Sequence, residues 1–234
     1  RLGDGKRANI DMADITFTPL IPDTEKVICF GMNYAKRHPV DGEVAPPENP
    51  SYFLKPPGTL VGHGCPMVKP MVSDNFDYEG ELGVVIGRPG RHIEPDDALK
   101  IVAGYTCLND GSVRDWQRHS VNAGKNFQSS GSCGPWLVTA DEVADPGQLR
   151  LITRLNGEEM QNELTELMIF DIPTQISYLS KIFELRPGDI IATGSPEGSG
   201  ASRDPQVFMT AGDTIEIEIE NVGRLENSII DEAG

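Results

Sequence analysis

The chain has 234 residues, enough for one large domain or two small ones. With 20 Lys and Arg against 36 Asp and Glu, its net charge of −16 argues against nucleic acid or an anionic membrane as partner, and any acidic ligand must be held by local cations or a metal. A hydrophobic share of 38% with 25 Gly and 18 Pro favours a loop-rich, mainly β globular enzyme over a helical bundle, and no apolar run is long enough to span a bilayer.

Residues 1–25 are polar and weakly patterned. They read as the remnant of a short N-terminal segment ahead of a catalytic domain over 26–234. No signal-peptide pattern is expected before the fold, and a chain that opens on Arg1 leaves room for an N-terminal piece outside it. Residues 27–30 form a short buried strand that runs through Gly31 to Tyr34 into a polar stretch with His38 and Glu43. Prolines at 46, 47 and 50 predict an extended loop. A strand over 51–55 ends at Lys55, before Pro56-Pro57; that lysine is either solvated or a binding group.

Residues 77–87, D-Y-E-G-E-L-G-V-V-I-G, have an apolar, β-branched second half ending in glycine, which predicts a buried strand. Alternation puts Glu79 and Glu81 on one side and Leu82, Val84 and Ile86 on the other. Two close carboxylates repel unless a cation or proton sits between them. They are therefore half of a divalent-metal site, or else an ordinary solvated face. Residues 213–220 illustrate the second case, with Glu216, Glu218 and Glu220 alternating with Ile215, Ile217 and Ile219. The first pair differs in being flanked by glycines, which leave room for something to approach the backbone.

A short helix is predicted over 94–99 and a strand over 101–108 that ends at Asn109-Asp110. Asp110 is a site residue or a helix cap, because 113–119 has helix-forming composition with Ser112 as a plausible N-cap. On that helix Arg114 and Gln117 would share a face. Residues 124–131 form a small-residue loop whose glycine and lysine order does not fit a phosphate loop. Strands over 136–139 and 149–155 precede an Asn156-Gly157 hairpin turn. Helical spacing at Ile172, Ile176, Leu179 and Phe183 predicts a helix over 170–185 with Pro173 in its first turn. A strand over 190–192 leads into the loop 193–198, and strands within 207–230 close the chain. His63, His92 and His119 read as solvated. Cys29, Cys65, Cys107 and Cys133 show no C-x-x-C pairing; Cys29 and Cys107 read as reduced core residues, which predicts a cytoplasmic protein. No Cys/His cluster has zinc-ligand spacing.

The order G-x-N-Y (31–34), F-L-K-P (53–56), Y-E-G-E-L-x-V-V-I-G (78–87), G-Y-T-x-x-N-D-x-S-x-R-D-x-Q (104–117), G-K-x-F (124–127), M-I-F-x-I-P (168–173) and G-D-I-I-A-T-G-S-P (188–196) resembles the fumarylacetoacetate hydrolase family. The resemblance implies a mainly β fold, a mixed β-sheet roll or sandwich with a few short helices, and a homodimer. It implies a divalent metal on Glu79, Glu81 and Asp110, with substrate contacts from Arg114, Gln117, Lys125 and Ser195, the last standing where relatives often have threonine. Three carboxylates without a soft ligand suit Mg²⁺ or Mn²⁺, with Ca²⁺ possible. Lys125 and Arg114 are expected to handle an anionic substrate rather than to stabilise the fold, and Lys55 is a further substrate contact. The leading expectation is hydrolysis of a C–C bond in a 2,4-dioxo acid of acylpyruvate type, through a metal-bound enolate. The alternatives are an oxaloacetate-type decarboxylase, a hydratase, isomerase or lyase on a related 2-oxo acid, and a non-catalytic protein with structural Ca²⁺. Hydrolytic relatives place a histidine three residues after the tyrosine of N-Y and a glutamate three further on. Here His38 comes one place late and Glu43 five residues after it, with Pro39 and Gly42 between; His38 is the expected general base and Glu43 its orienter.

Overall fold

The computed structural model describes residues 11, 14–35, 37–38, 42–43 and 46–234, and for 37, 38, 42 and 43 the backbone alone. Its strands are Val27–Gly31 (β1), Arg37–His38 (β2), Gly42–Glu43 (β3), Ser51–Lys55 (β4), Leu60–Val61 (β5), Met67–Lys69 (β6), Phe76–Asp77 (β7) and Gly80–Ile86 (β8). They continue with Val102–Asn109 (β9), Ser112–Val113 (β10), Gly131–Thr139 (β11), Arg150–Leu155 (β12), Glu158–Leu164 (β13), Ile190–Ala192 (β14), Thr214–Ile219 (β15) and Gly223–Asp231 (β16). The α-helices are Pro95–Ala98 (α1), Val121–Lys125 (α2) and Ile172–Ile182 (α3). None is long and apolar enough to cross a membrane.

Among the described residues the strands form a seven-stranded sheet ordered β4-β1-β14-β8-β9-β11-β5 and a five-stranded sheet ordered β13-β12-β15-β16-β6, with two small pairs beside them. The fold is the mixed, mainly β one expected. β8 lies in the middle of the larger sheet, and all of its residues are buried. Its apolar run is continuous because both faces are covered. Leu82, Val84 and Ile86 join Tyr78, Ile215 and Ile217 in the main core, while Val85 packs on the other face with Val27, Cys29, Leu108 and Ile190. On β15 the three isoleucines are buried and Glu216 and Glu218 are half-buried, pairing with Arg224 and Arg154. The Asn156-Gly157 turn joins β12 to β13 with φ of 53° and 81°, as a hairpin twisted to match its strands requires.

The glycines around the acidic pair are there for the sheets, not for a ligand. A Cβ on Gly80 would stand 2.1 Å from Thr153 Oγ1 and 3.0 Å from Ile217 Cδ1, where the two sheets meet. Gly80→Ala should therefore destabilise the protein by about 1–3 kcal/mol through overpacking. An unchanged urea midpoint would show that the sheets are not in contact there.

Two local expectations change. Residues 113–119 are not one helix: Ser112 and Val113 pair with Asp77 and Phe76, and Ser112 Oγ donates to the Asp110 carbonyl instead of capping. A single tight turn, Trp116–Arg118, follows, with Asp115 accepting from Trp116 N. Lys125 ends α2 rather than lying in a loop, and Ser120 caps that helix by accepting from Ala123 N. A five-residue helix carries too little periodicity to be seen in sequence. The helix expected over 170–185 is Ile172–Ile182, begun by Asp171 accepting from Thr174 N. His63 is not simply solvated, since its Nδ1 accepts from Glu226 N and its ring meets Phe17 edge-on at 5.1 Å.

Candidate metal centre and active site

Two segments bring the acidic residues together. Glu79 immediately precedes β8, Glu81 is its second residue, and Asp110 directly follows β9. β8 and β9 are antiparallel, with Gly80 opposite Asn109. Reciprocal bonds staple the two ends: Asp110 N donates to the Glu79 carbonyl at 2.9 Å, and Glu79 N donates to Asn109 Oδ1 at 3.0 Å. One carboxylate oxygen from each of Glu79, Glu81 and Asp110 lies within 4.8 Å of the others. All three residues are buried.

Burial makes this cluster costly without a counter-charge. Glu81 Oε2 accepts from Gly194 N at 2.8 Å, but Glu81 Oε1 is buried with no hydrogen-bond partner. Desolvation first, then the neighbouring Asp110 and Glu79 charges, push the Glu81 carboxyl well above the usual carboxylate range. Three side-chain cations face the cluster. Lys125 Nζ lies 2.7 Å from Asp110 Oδ2 and also donates to Glu79. Burial alone would push this ammonium down, but the Asp110 and Glu79 carboxylates outweigh it and raise its pKa. Arg114 Nε donates to Asp77 Oδ2 at 2.7 Å and Nη1 to Gln117 Oε1 at 3.2 Å, while Nη2 pairs by distance with Glu79 Oε1 at 2.7 Å without hydrogen-bond alignment. Lys55 Nζ stands 2.7 Å from Asp110 Oδ1, again an ion pair by distance only, and donates to the Lys125 carbonyl.

An unpartnered, buried carboxylate oxygen among hard oxygen donors suits a divalent cation. Glu79, Glu81 and Asp110 are thus a candidate divalent-metal site.

A cavity of about 250 Å³ opens beside the cluster, lined by Glu79, Arg114, Gln117, Lys125 and Ser195 and by an apolar wall of Phe30, Met32, Phe53 and Val121. A larger hollow of about 780 Å³ runs along the outer side of β4 and contains none of the three carboxylates, so the smaller cavity is the candidate site. Four of the substrate contacts expected from sequence therefore meet at one place. Lys55 does not line this cavity: it is buried behind Asp110 and supports that carboxylate. The side chains of His38 and Glu43 lie outside the described residues. Their backbones belong to the β2–β3 pair, in which Arg37 faces Glu43 and His38 faces Gly42.

Residues that sequence reading passed over hold the site together. Asp77, fully buried, accepts from Gly200 N and Ala201 N as well as from Arg114. Gln161 accepts from Gly80 N and donates to Ser195. Asp77 stood at the head of the stretch 77–87, directly before the motif and beside Tyr78, a signal that was available. Gln161 lies 81 residues from Gly80 and carried none.

Residues 26–230 match the family description "Fumarylacetoacetate (FAA) hydrolase C-terminal". The chain belongs to the fumarylacetoacetate hydrolase family. It is 39% identical over 224 residues to "Oxaloacetate tautomerase Fahd2a, mitochondrial" of Rattus norvegicus, covering 94% of this chain and 71% of that protein. Among solved structures it is similar to 5-carboxymethyl-2-hydroxymuconate delta-isomerase from Mycobacterium smegmatis, with 36% identity, a TM-score of 0.82, and coverage of 95% of this chain and 85% of that one. It is also similar to maleylpyruvate hydrolase from Sphingobium sp. SYK-6 in complex with manganese(II) and pyruvate, with 33% identity, a TM-score of 0.81, and coverage of 96% and 77%.

This is a family of enzymes of small acids, and its members named here are a tautomerase, an isomerase and a hydrolase. The expectation of a cytoplasmic protein is corrected by the tautomerase relatives, which are named as mitochondrial. Unpaired cysteines separate reducing from oxidising compartments and do not tell one reducing compartment from another.

Proposed function

We propose that the protein is a divalent-metal-dependent enzyme that interconverts the keto and enol forms of a small 2-oxo acid of oxaloacetate type. The observation that carries this reading is the partnerless Glu81 oxygen in a buried triad, with the Lys125 ammonium and a small cavity beside it. Glu79, Glu81 and Asp110 would hold Mg²⁺ or Mn²⁺. Such a cation would polarise the oxygens of a 2-oxo acid and so acidify the adjacent C–H. Lys125 holds a proton at Nζ on the cavity wall; in ketonisation this proton would pass to the enol carbon, and the enol hydroxyl would return its proton to Nζ. Arg114, anchored by Asp77, keeps Glu79 oriented. Gln117 and Ser195 offer neutral polar groups for orientation, and the apolar wall limits water.

A second reading, hydrolysis of an acylpyruvate, draws support from the similarity to maleylpyruvate hydrolase. It requires a base for water, with His38 oriented by Glu43 as the candidates. Keto–enol exchange needs no such dyad, and the displaced spacing of these two residues favours it.

The test is to follow oxaloacetate enol by its ultraviolet absorbance with Mg²⁺ or Mn²⁺, while measuring CO₂ and screening acylpyruvates by mass. The expected result is metal-dependent ketonisation without CO₂ release or cleavage. Acylpyruvate cleavage that is lost in His38→Ala would establish hydrolysis instead, CO₂ release would establish decarboxylation, and no turnover of any of these acids would overturn both readings.

A further inference from the structure

Gln161 lies on β13, in the five-stranded sheet, and is 1% exposed. Its carboxamide reaches across to the active site and is used at both ends. Oε1 accepts from Gly80 N at 3.0 Å; Nε2 donates to Ser195 Oγ at 2.8 Å and to the Pro196 carbonyl at 2.7 Å. The orientation of the amide follows from chemistry. A backbone N–H can only donate, so the oxygen end must face Gly80, and a carbonyl can only accept, so the NH₂ end must face Pro196. Ser195 Oγ therefore receives a hydrogen from Gln161 and spends a lone pair on it.

That uses one of the two lone pairs of the hydroxyl and ties its oxygen to Gln161. Among the described residues the Ser195 O–H donates to no acceptor, and Ser195 lines the cavity with Arg114 and Lys125. The hydroxyl keeps its hydrogen and one lone pair, and of these only the hydrogen can bond to an anion in the cavity. The same amide holds Gly80, the residue between Glu79 and Glu81, while Gly194 N donates to Glu81 on the other side. Ser195 is thus set at a fixed place relative to the carboxylate triad.

We propose that Gln161 is a positioning residue that presents the Ser195 hydroxyl as a hydrogen-bond donor to an anionic substrate. This rests on the 2-oxo-acid reading of the site. A carboxylate at position 161 would accept from both Gly80 N–H and Ser195 O–H, and so would turn the hydroxyl away from the cavity.

The probe is oxalate, a planar dianion with the chelating oxygens of a 2-oxo acid enolate, titrated by calorimetry into Mn²⁺-loaded protein. Ser195→Ala, Gln161→Met and Gln161→Glu should each weaken oxalate roughly tenfold or more, the scale of one hydrogen bond to a charged group. Ser195→Thr should bind as wild type does. In the double variant Gln161→Met/Ser195→Ala the loss of oxalate affinity should fall well short of the sum of the two single losses, because Gln161 reaches oxalate through Ser195, while its bond to Gly80 is read separately in the Mn²⁺ affinity of Gln161→Met. Mn²⁺ affinity should be unchanged in Ser195→Ala. Additive losses, or wild-type oxalate binding in Gln161→Glu, would overturn the proposal. If the Gln161 variants do not fold, Ser195→Ala binding oxalate as tightly as Ser195→Thr overturns it alone. Wild type that binds Mn²⁺ but not oxalate overturns the 2-oxo-acid reading itself, a separate outcome.

Discussion

Glu81→Gln should abolish tight Mg²⁺ or Mn²⁺ binding and activity, yet raise the melting temperature of the metal-free protein at neutral pH. Loss of a ligand should cost more than the roughly 10–100-fold that loss of an outer partner costs in metal affinity. The stability effect runs the other way because Glu81 is fully buried beside Asp110 and Glu79, with one oxygen unpartnered. Its carboxyl is raised in the folded state by desolvation and those two charges. From the unfolded carboxyl value of about 4.3 upward, the folded protein then holds more protons than the unfolded one, so stability falls as pH rises toward the raised value. Metal-free wild type should accordingly melt lower at pH 8 than near pH 5, and Glu81→Gln should flatten that slope. Added Mn²⁺ should stabilise wild type more at the higher pH, since binding displaces a proton. Calorimetric melting at both pH values, with and without Mn²⁺, checks all of this. A metal-free slope that is unchanged by Glu81→Gln would show that the glutamate is not the strained group.

Lys125→Met should lower kcat/KM by on the order of 10²-fold, the scale of losing one group that stabilises developing charge. It should also destabilise the metal-free protein by about 3–5 kcal/mol, as expected when one partner of a buried ion pair is removed. In a domain of this size that is a fall on the order of 10 °C. Sequence reading expected little change in stability, because it placed Lys125 on a small-residue loop. The structure instead buries the ammonium at the end of α2, between Asp110 and Glu79, with the ring of Phe53 5.3 Å away. Excess Mg²⁺ or Mn²⁺ should recover much of the lost melting temperature, because the cation replaces the missing charge, but should not restore turnover. Recovery of both would reduce Lys125 to a counter-ion.

The mainly β fold and the same-side pair Glu79 and Glu81 were legible in the chain because they rest on local rules, whereas Asp110 joined that pair through the family resemblance. Side chains two apart on a strand share a side, which put Glu79 with Glu81, and an apolar run ending at Asn109-Asp110 marked a strand end. The Asn156-Gly157 turn and the Asp171-capped helix are equally local, and both formed where expected. The short motifs spread over residues 31–196 carried the rest of the recognition.

Pairing between distant segments was not legible. Whether an E-x-E on a strand is a solvated face or a metal site depends on what covers it. Here a neighbouring strand brings Asp110, a loop brings Gly194, and burial makes the carboxylates costly; on β15 the same alternation meets arginines at the surface. Lys55 could not be assigned from the end of its strand, because its partner Asp110 is 55 residues further on. Gln161 has no motif at all, and its role follows only from the contact between the two sheets. Local order thus specified the elements and the ligand types, whereas the packing of one sheet on the other decided which charges are desolvated, which are paired, and which side chain holds the Ser195 oxygen.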